Sequence, residues 1–109
     1  MPQRSALTDR LVGYTTVSRL EFTYDSVSSV CNLSLQLENP INSKSLTLMM
    51  KEISHLKLQE FGGGLAQLLY LLVEDIREFQ LDRVTYRVKD VEREMFECQC
   101  RDIIISESN

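Results

Sequence analysis

The chain has 109 residues and a formal net charge of −4, from 12 Lys or Arg and 16 Asp or Glu. Hydrophobic residues make up 43% of it, which is ordinary for a folded domain, and the length suits a single domain over residues 1–109. The mild acidity argues against nucleic-acid binding, because affinity for phosphates comes from clustered Lys and Arg. One His and three Cys leave few side chains for catalysis or metal binding.

The amino terminus and the cysteines bear on the cellular compartment. No apolar stretch follows Arg4, so no secretory signal is expected. The longest apolar run, residues 68–73, is far below the roughly 18 residues that cross a bilayer. The odd cysteine count and the spacing of Cys98 and Cys100 disfavour a disulfide framework. These features predict a cytoplasmic protein with no membrane partner.

The first third of the chain predicts two strands. Residues 1–16 are polar with weak periodicity, which suggests an arm or a short first element. Residues 17–24 alternate between apolar and polar and predict a half-buried strand. Residues 31–38 alternate in the same way and predict a second strand, which ends near Pro40 because proline donates no ladder hydrogen bond. The apolar positions of the two strands are Leu20, Phe22, Tyr24, Cys31, Leu33, Leu35 and Leu37.

A third strand follows, and its phase is interrupted. Leu46, Leu48 and Met50 alternate with polar residues. The alternation slips before Ile53, which predicts a bulge or a short break near residues 51–52.

The middle of the chain allows two interpretations. Three glycines at 62–64 indicate a turn or close packing and match no phosphate-binding loop. A short helical turn at 65–69 followed by a strand to Arg77 is the preferred prediction, because a helix would have to bury apolar residues on two faces. The alternative is an amphipathic helix over 64–79.

The last third predicts a β-hairpin. Residues 84–89 and 95–101 alternate, with a polar turn at 90–94 between them. The strand is then prolonged through 103–105 before residues 106–109 fray.

The register of this hairpin can be predicted from side-chain pairing. If Val88 faces Phe96, then Arg87 faces Glu97, which forms an opposite-charge pair on the solvent side.

Together these patterns predict a mostly β fold. We expect a small antiparallel sandwich or a partly closed barrel of six to seven strands, with at most one short helix near 65–69. The alternative is an α+β fold with the helix at 64–79.

The chemistry-bearing residues favour no catalytic or metal site. His55 is the single histidine, and sequence places no partner beside it. Cys31, Cys98 and Cys100 lack the paired Cys-x₂-Cys spacing of zinc sites, so we interpret them as buried apolar residues. We predict no metal, no cofactor and no enzymatic activity.

Acidic residues cluster late in the chain. They fit a solvated face or, alternatively, a recognition patch for a basic protein partner, because charge complementarity selects partners and speeds association. An enzymatic carboxylate pair is the third interpretation. The candidate partner-binding residues are Glu74, Asp75, Glu78 and Asp82, with Asp90, Glu92 and Glu94 in the predicted turn.

The second half of the chain resembles small bacterial β-rich proteins, some of them immunity proteins of polymorphic toxin systems. The resemblance covers residues 55–105 and rests on the runs Phe61–Gly64, Val73–Ile76, Tyr86–Glu92 and Phe96–Cys98. It implies a cytoplasmic inhibitor that binds its cognate toxin, with no chemistry of its own.

Three functions are therefore open. The first is a binding protein that neutralises a toxin through protein–protein contact, with a basic toxin domain as the expected partner. The second is a structural or assembly module that forms homo-oligomers through strand edges, with residues 103–105 as the candidate edge. The third is a ligand-binding β-barrel or a divergent enzyme, which would need an enclosed apolar pocket.

Overall fold

The computed structural model describes residues 3–58, 66–67, 71–77, 84–91 and 96–108. These residues form ten strands and one α-helix of a single turn. In chain order the elements are β1 (Gln3–Arg4), α1 (Leu7–Arg10), β2 (Thr16–Asp25), β3 (Val30–Glu38), β4 (Ser45–Lys51), β5 (Ser54–Leu58), β6 (Ala66–Gln67), β7 (Leu71–Asp75), β8 (Tyr86–Asp90), β9 (Phe96–Cys100) and β10 (Asp102–Ser108).

The strands form two five-stranded antiparallel sheets. The first sheet has the order β1-β7-β8-β9-β5, and the second has the order β10-β4-β3-β2-β6. Two chain segments run through both sheets: one contains β4 and β5, and the other contains β9 and β10. β4 pairs with β10 in the second sheet, and β5 pairs with β9 in the first sheet, on either side of a bend. The two sheets therefore share a corner. This confirms the predicted mostly β fold in its sandwich form.

The core lies between the inner faces of the two sheets. Because successive side chains of a strand point to opposite faces, the alternate residues of β3 and β4 enter the core together. Each such fully buried apolar side chain contributes about 1.5–3 kcal/mol through loss of contact with water. The fully buried apolar residues among those described are Leu33, Leu35, Leu37, Leu46, Leu48, Met50, Val73, Ile76, Val88, Cys98 and Cys100, with Phe96 at 1% exposure.

The predicted break after the third strand is present. β4 ends at Lys51 and β5 begins at Ser54, and Glu52 between them has a positive φ of 53°. The Glu52 amide donates to the side-chain carbonyl of Asn32 at 3.0 Å, and the Ile53 amide donates to the Cys31 carbonyl at 2.9 Å. These bonds hold the bend against β3, so the corner of the sandwich is fixed by local backbone geometry.

The strand predicted over residues 17–24 is β2, and it differs from the prediction in the burial of two side chains. Residues 16–25 do form a strand, and Leu20 is half-buried. Phe22 and Tyr24, however, are 46% and 65% exposed. Their backbone positions pair with Leu33 and Cys31, so both aromatic residues lie on the inner face of their sheet. The prediction of a half-buried strand is wrong at these two positions, since they lie where the sheet extends past the buried core.

The middle of the chain is a strand rather than a helix. Residues 71–75 form β7, with Leu71 and Val73 buried on its inner face, so the helix over 64–79 is wrong. Ala66 and Gln67 pair with β2, which also contradicts a helical turn at 65–69. The physical reason is that a strand places Leu71 and Val73 on one face, whereas a helix would split them. The three glycines lie outside the described residues.

The hairpin is present, with a register that differs from the prediction by two residues. Val88 pairs with Cys98, and Lys89 rather than Arg87 pairs with Glu97. The shift keeps every side chain on its predicted face, because two residues are one full period of a strand. Asp90 is the last residue of β8 and 1% exposed, so its placement in a projecting polar turn is wrong.

The amino-terminal segment is a short first element rather than a free arm. β1 pairs with β7, and the Thr8 hydroxyl accepts the Val73 amide at 3.0 Å and donates to the Val73 carbonyl at 3.1 Å. Thr8 and Leu11 are buried, which ties α1 to the first sheet.

The carboxyl-terminal segment also differs from its prediction. Residues 102–108 form β10, an edge strand of the second sheet, so the predicted fraying from residue 106 is wrong through residue 108.

Candidate functional site

Glu74 lies on the outer face of the first sheet, on the strand next to the edge strand β1. It lies on β7 and pairs with Arg87 of β8, whose Nε donates to Glu74 Oε1 at 3.0 Å. The ammonium group of Lys89 lies 3.5 Å from the same oxygen. Glu74 is only 9% exposed. Its charge is therefore neutralised inside the chain by two cations of the neighbouring strand.

Asp75 also forms an ion pair within the chain, with Arg77 two residues further along. The guanidinium group of Arg77 donates to Asp75 Oδ2 at 3.1 Å through Nε and at 2.5 Å through an η nitrogen, and Nε also lies 3.2 Å from Oδ1. The Arg77 amide donates to Asp75 Oδ1 at 3.0 Å. These bonds hold the pKa of the Asp75 carboxyl below its usual value and raise that of the guanidinium. Asp75 therefore presents its charge already paired.

Asp90 lies at the end of β8, where it lines a cleft of about 340 Å³ with residues of β5 and β9. Beside it, a row of alternating charge crosses three strands, because Lys89 pairs with Glu97 and Glu97 pairs with Lys57. Such opposite-charge pairs across strands stabilise a sheet modestly. The sequence pattern did not predict this row of charges. The row depends on the strand register, and the predicted register differs from the observed one by two residues.

The remaining four candidates, Glu78, Asp82, Glu92 and Glu94, lie outside the described residues. The structure thus places Glu74 and Asp75 next to each other on β7 and Asp90 opposite Leu71 at the other end of that strand. Partner binding by these seven residues stays a prediction.

The cysteines are free and mostly buried. Cys98 and Cys100 have no exposed surface, and Cys31 is partly buried. Burial raises the pKa of the Cys98 thiol to about 12 and raises the pKa of Cys100 as well. Protonated buried thiols are poor nucleophiles and poor metal ligands. The described ranges contain no group of three His, Cys, Asp or Glu side chains placed to hold a metal ion.

A second feature lies at one end of the sandwich. A cleft of about 360 Å³ opens between the β2–β3 hairpin, the bend after β4 and the segment before β8, and we call it the end cleft. Residues of both sheets line it. Its apolar lining residues are Tyr24, Val30, Cys31, Ile53 and Val84.

The end cleft was missed from the sequence. Tyr24 and Phe22 carry the same period-two signal as the buried strands, so periodicity assigns them to the core. The one indication is strand length. β2 has ten residues, whereas each long strand of the first sheet has five, so part of the inner face of β2 lies beyond the opposing sheet.

Comparison with known proteins identifies a family. A family model described as Immunity protein PIM8 matches residues 6–106. No curated protein and no solved structure matches the chain. The match extends over the amino-terminal half as well as the segment 55–105 on which the sequence resemblance rests. Among the residues that the structure describes, no helix has the length and apolar character that a membrane crossing requires.

Proposed function

The chain belongs to the Immunity protein PIM8 family, and we propose that it protects the cell that makes it by binding a cognate toxin. The observation that carries this proposal is the family match over residues 6–106. We propose further that inhibition is stoichiometric and non-enzymatic, and that it takes place in the cytoplasm, where the toxin domain would act.

The fold is suited to this role. The inner strands β3 and β4 bury alternate residues completely from Leu33 to Leu37 and from Leu46 to Met50, so the second sheet is a well-packed support. A preformed surface on such a support binds with a small entropic loss, because few side chains and no backbone need to be ordered.

We propose that acidic residues guide the encounter with a basic toxin domain. Glu74 and Asp75 are paired with cations of the chain itself, and Asp90 is buried. The long-range attraction would then depend mainly on Glu78, Asp82, Glu92 and Glu94. Charges at the rim of an interface act chiefly on the association rate and on its salt dependence.

The test requires a candidate toxin domain, which is to be sought among the genes next to the gene for this chain. Co-production of this protein should restore growth of bacteria that express the toxin domain, and the purified pair should form a 1:1 complex by calorimetry. Neutralising Glu78, Asp82, Glu92 and Glu94 to their amides should lower the association rate at low salt. If the wild-type protein neither restores growth nor binds, the proposed function is wrong; if the fourfold variant associates at the wild-type rate, only the acidic guidance is wrong.

A second candidate function is assembly with copies of itself. β10 pairs with β4 on one side and is the last strand of its sheet, and its residue Ile104 is 42% exposed. Exposed strand edges of this kind can pair with other strands. Light scattering after size exclusion measures the mass in solution. A dimer that Ile104→Lys converts to a monomer would support assembly through β10, and a wild-type monomer at high concentration would contradict it.

A further inference from the structure

Among the described residues, the two sheets end in the edge strands β1, β5, β6 and β10, and three of these are poorly suited to pairing with a further strand. β1 and β6 have two residues each. β5 has an irregular register between Ser54 and Lys57, where His55 has a positive φ of 52°. Short and irregular edges of this kind hinder the addition of another strand.

β10 has neither of these features. Its seven residues pair one to one with β4, from Asp102 opposite Lys51 to Ser108 opposite Ser45, with no shift in register. The strand contains three consecutive isoleucines and no proline, glycine or lysine. Isoleucine favours an extended backbone, and lysine and proline are residues with which natural proteins protect an edge. β10 is therefore the edge to which a further strand can be added.

The open side of β10 presents the peptide groups of alternate residues. The Ile103 amide donates to the side chain of Asp102 at 2.9 Å, which directs this N–H away from β4. The N–H and C=O of one residue lie on the same side of a strand, and the side alternates from residue to residue. The peptide groups of Ile105 and Glu107 therefore also point to the open side, and their amides can bond to an added strand.

The sequence of β10 is complementary to itself in the antiparallel direction. When Ile105 lies opposite the same residue of a second copy, all seven residues overlap. The facing pairs are then Asp102 with Ser108, Ile103 with Glu107, Ile104 with Ser106, and Ile105 with itself. Each carboxylate faces an uncharged residue, whereas a parallel arrangement in register would place each carboxylate against its own copy. Like charges directly opposite each other destabilise a sheet, so the antiparallel arrangement is favoured.

This register also uses the peptide groups that point to the open side. The Ile105 amide of each copy would donate to the Ile105 carbonyl of the other, and each Glu107 amide would donate to the Ile103 carbonyl of the other. The bond from the Ile103 amide to Asp102 can stay in place. The Glu107 carboxylate accepts a hydrogen bond from Arg10 of its own chain at 3.3 Å, which lowers the repulsion between the two acidic copies.

We infer that β10 pairs with β10 of a second copy of this chain, antiparallel about a two-fold axis at Ile105, so that the two second sheets join into one continuous sheet. This inference rests on the assembly candidate above and specifies its surface, symmetry and register. An axis perpendicular to the sheet keeps both inner faces on one side, and it covers both edges with the same contact. Because one pair of strands buries less area than a standard interface, we expect a Kd of about 10–100 µM.

Sedimentation equilibrium tests the association. The wild-type chain should have the mass of a monomer at about 1 µM and an average mass at least about 1.5 times larger at about 200 µM. Ile104→Lys places a charge on the paired edge and should raise the Kd at least about tenfold. Val27→Lys is the matched control, since Val27 is an apolar residue that is 95% exposed in the β2–β3 turn, and it should change the Kd less than about twofold.

Cysteine cross-linking tests the register. Ile104 and Ser106 of facing copies would form a pair without mutual hydrogen bonds, whose Cα atoms lie about 4.5 Å apart and within reach of a disulfide. An oxidised mixture of Ile104→Cys and Ser106→Cys chains should give at least about threefold more cross-linked dimer than either variant alone. The wild-type chain with its three free cysteines gives the background. Stronger cross-linking by one variant alone would place the axis at residue 104 or 106 and overturn this register.

Amide exchange followed by NMR tests the bonding pattern. Exchange at Ile105 and Glu107 should slow at least about twofold between about 1 µM and about 200 µM, because the second copy covers these amides. Exchange at Ile104 and Ser106 should stay slow at both concentrations, since their amides point to β4. The opposite pattern would overturn the assigned direction of the peptide groups and the register that depends on it.

The outcomes separate this inference from the functions proposed above. A wild-type monomer at about 200 µM would overturn the assembly candidate and this inference together. A dimer that Ile104→Lys leaves intact, with an unchanged melting temperature and no excess cross-linking in the mixture, would support assembly and overturn pairing through β10. Toxin binding enters none of these measurements, so a failure of toxin neutralisation would leave their results unchanged.

Discussion

The Cys98 thiol lies 3.6 Å from the sulfur of Met50, and this contact joins the two sheets inside the core. Cys98 belongs to β9 of the first sheet and Met50 to β4 of the second, and neither has exposed surface. Met50 also pairs on its sheet with Leu33 and Ile103, so it connects three strands. The centre of the sandwich therefore depends on close packing around two sulfur atoms.

Met50→Ala should lower the free energy of unfolding by about 2–5 kcal/mol, because it removes buried contacts and leaves a cavity between the sheets. Urea denaturation followed by circular dichroism measures the change. Met49→Ala is the matched control, since Met49 is the preceding residue of β4 and lies on the outer face. Equal losses for the two variants would contradict the assignment of inner and outer faces.

The two buried thiols should make the protein less stable in alkali. Burial raises the pKa of Cys98 from 9.0 to about 12 and raises the pKa of Cys100 too, so the unfolded chain loses these protons first as pH rises. The stabilisation is complete below pH 9 and is lost as pH increases from 9 towards 12, by up to about 1.4 kcal/mol per pH unit for each thiol.

The measurement is urea denaturation at several pH values between 8 and about 10.5, in the presence of reductant. Cys98→Ala and Cys100→Ala should each reduce the slope of stability against pH, even if they lower stability at pH 7. A slope equal to that of the wild type in both variants would show that other groups determine the alkaline response.

Glu74→Gln should destabilise the protein by about 1–3 kcal/mol, because Arg87 and Lys89 would keep their charges beside a poorly exposed neutral amide. The matched control is Glu21→Gln. Glu21 pairs with Arg19 at 2.7 Å, but both side chains are more than half exposed, so its loss should cost less than about 1 kcal/mol. Thermal denaturation of both variants compares them, and a larger loss for Glu21→Gln would contradict the burial of the Glu74 pair.

Gly13→Ala should destabilise the connection between α1 and β2. Gly13 has a φ of 89°, and a Cβ there would lie 2.8 Å from the side-chain nitrogen of Asn39. The expected cost is about 1–2 kcal/mol, mostly from the left-handed backbone. Gly13→Asn carries the same Cβ but tolerates positive φ better, so it should lose less. If urea denaturation finds equal losses for the two, contact with Asn39 outweighs the backbone effect.

Much of the strand content could be predicted from the sequence. In the stretches 31–38 and 46–50, apolar and polar residues alternate because successive side chains of a strand point to opposite faces. This alternation is a local property that the sequence shows directly. The bend at 51–52 was predictable for the same reason, since a phase slip is visible in the sequence itself. The segment 71–75 was harder, because continuous apolar residues fit a buried strand and a buried helix equally well.

The candidate site was less predictable. Clustering along the sequence predicts an acidic patch, yet Glu74 is opposite Arg87 and close to Lys89 in the folded sheet. Which cation faces a carboxylate depends on strand register, and two registers that differ by two residues place the same side chains on the same faces. The family resemblance, by contrast, came from residue types at particular spacings and is confirmed by the match to the immunity protein family.

The sequence by itself determined most of the long strands, the class of fold and the family, because period-two alternation, turn residues and motif spacing are properties of the chain itself. Only the tertiary structure decided which inner-face residues are buried. Leu33 and Phe22 are paired neighbours on one face, but the first has no exposed surface and the second is 46% exposed. The difference arises because burial requires an opposing sheet, and how far that sheet extends over β2 is set by contacts between residues distant in sequence.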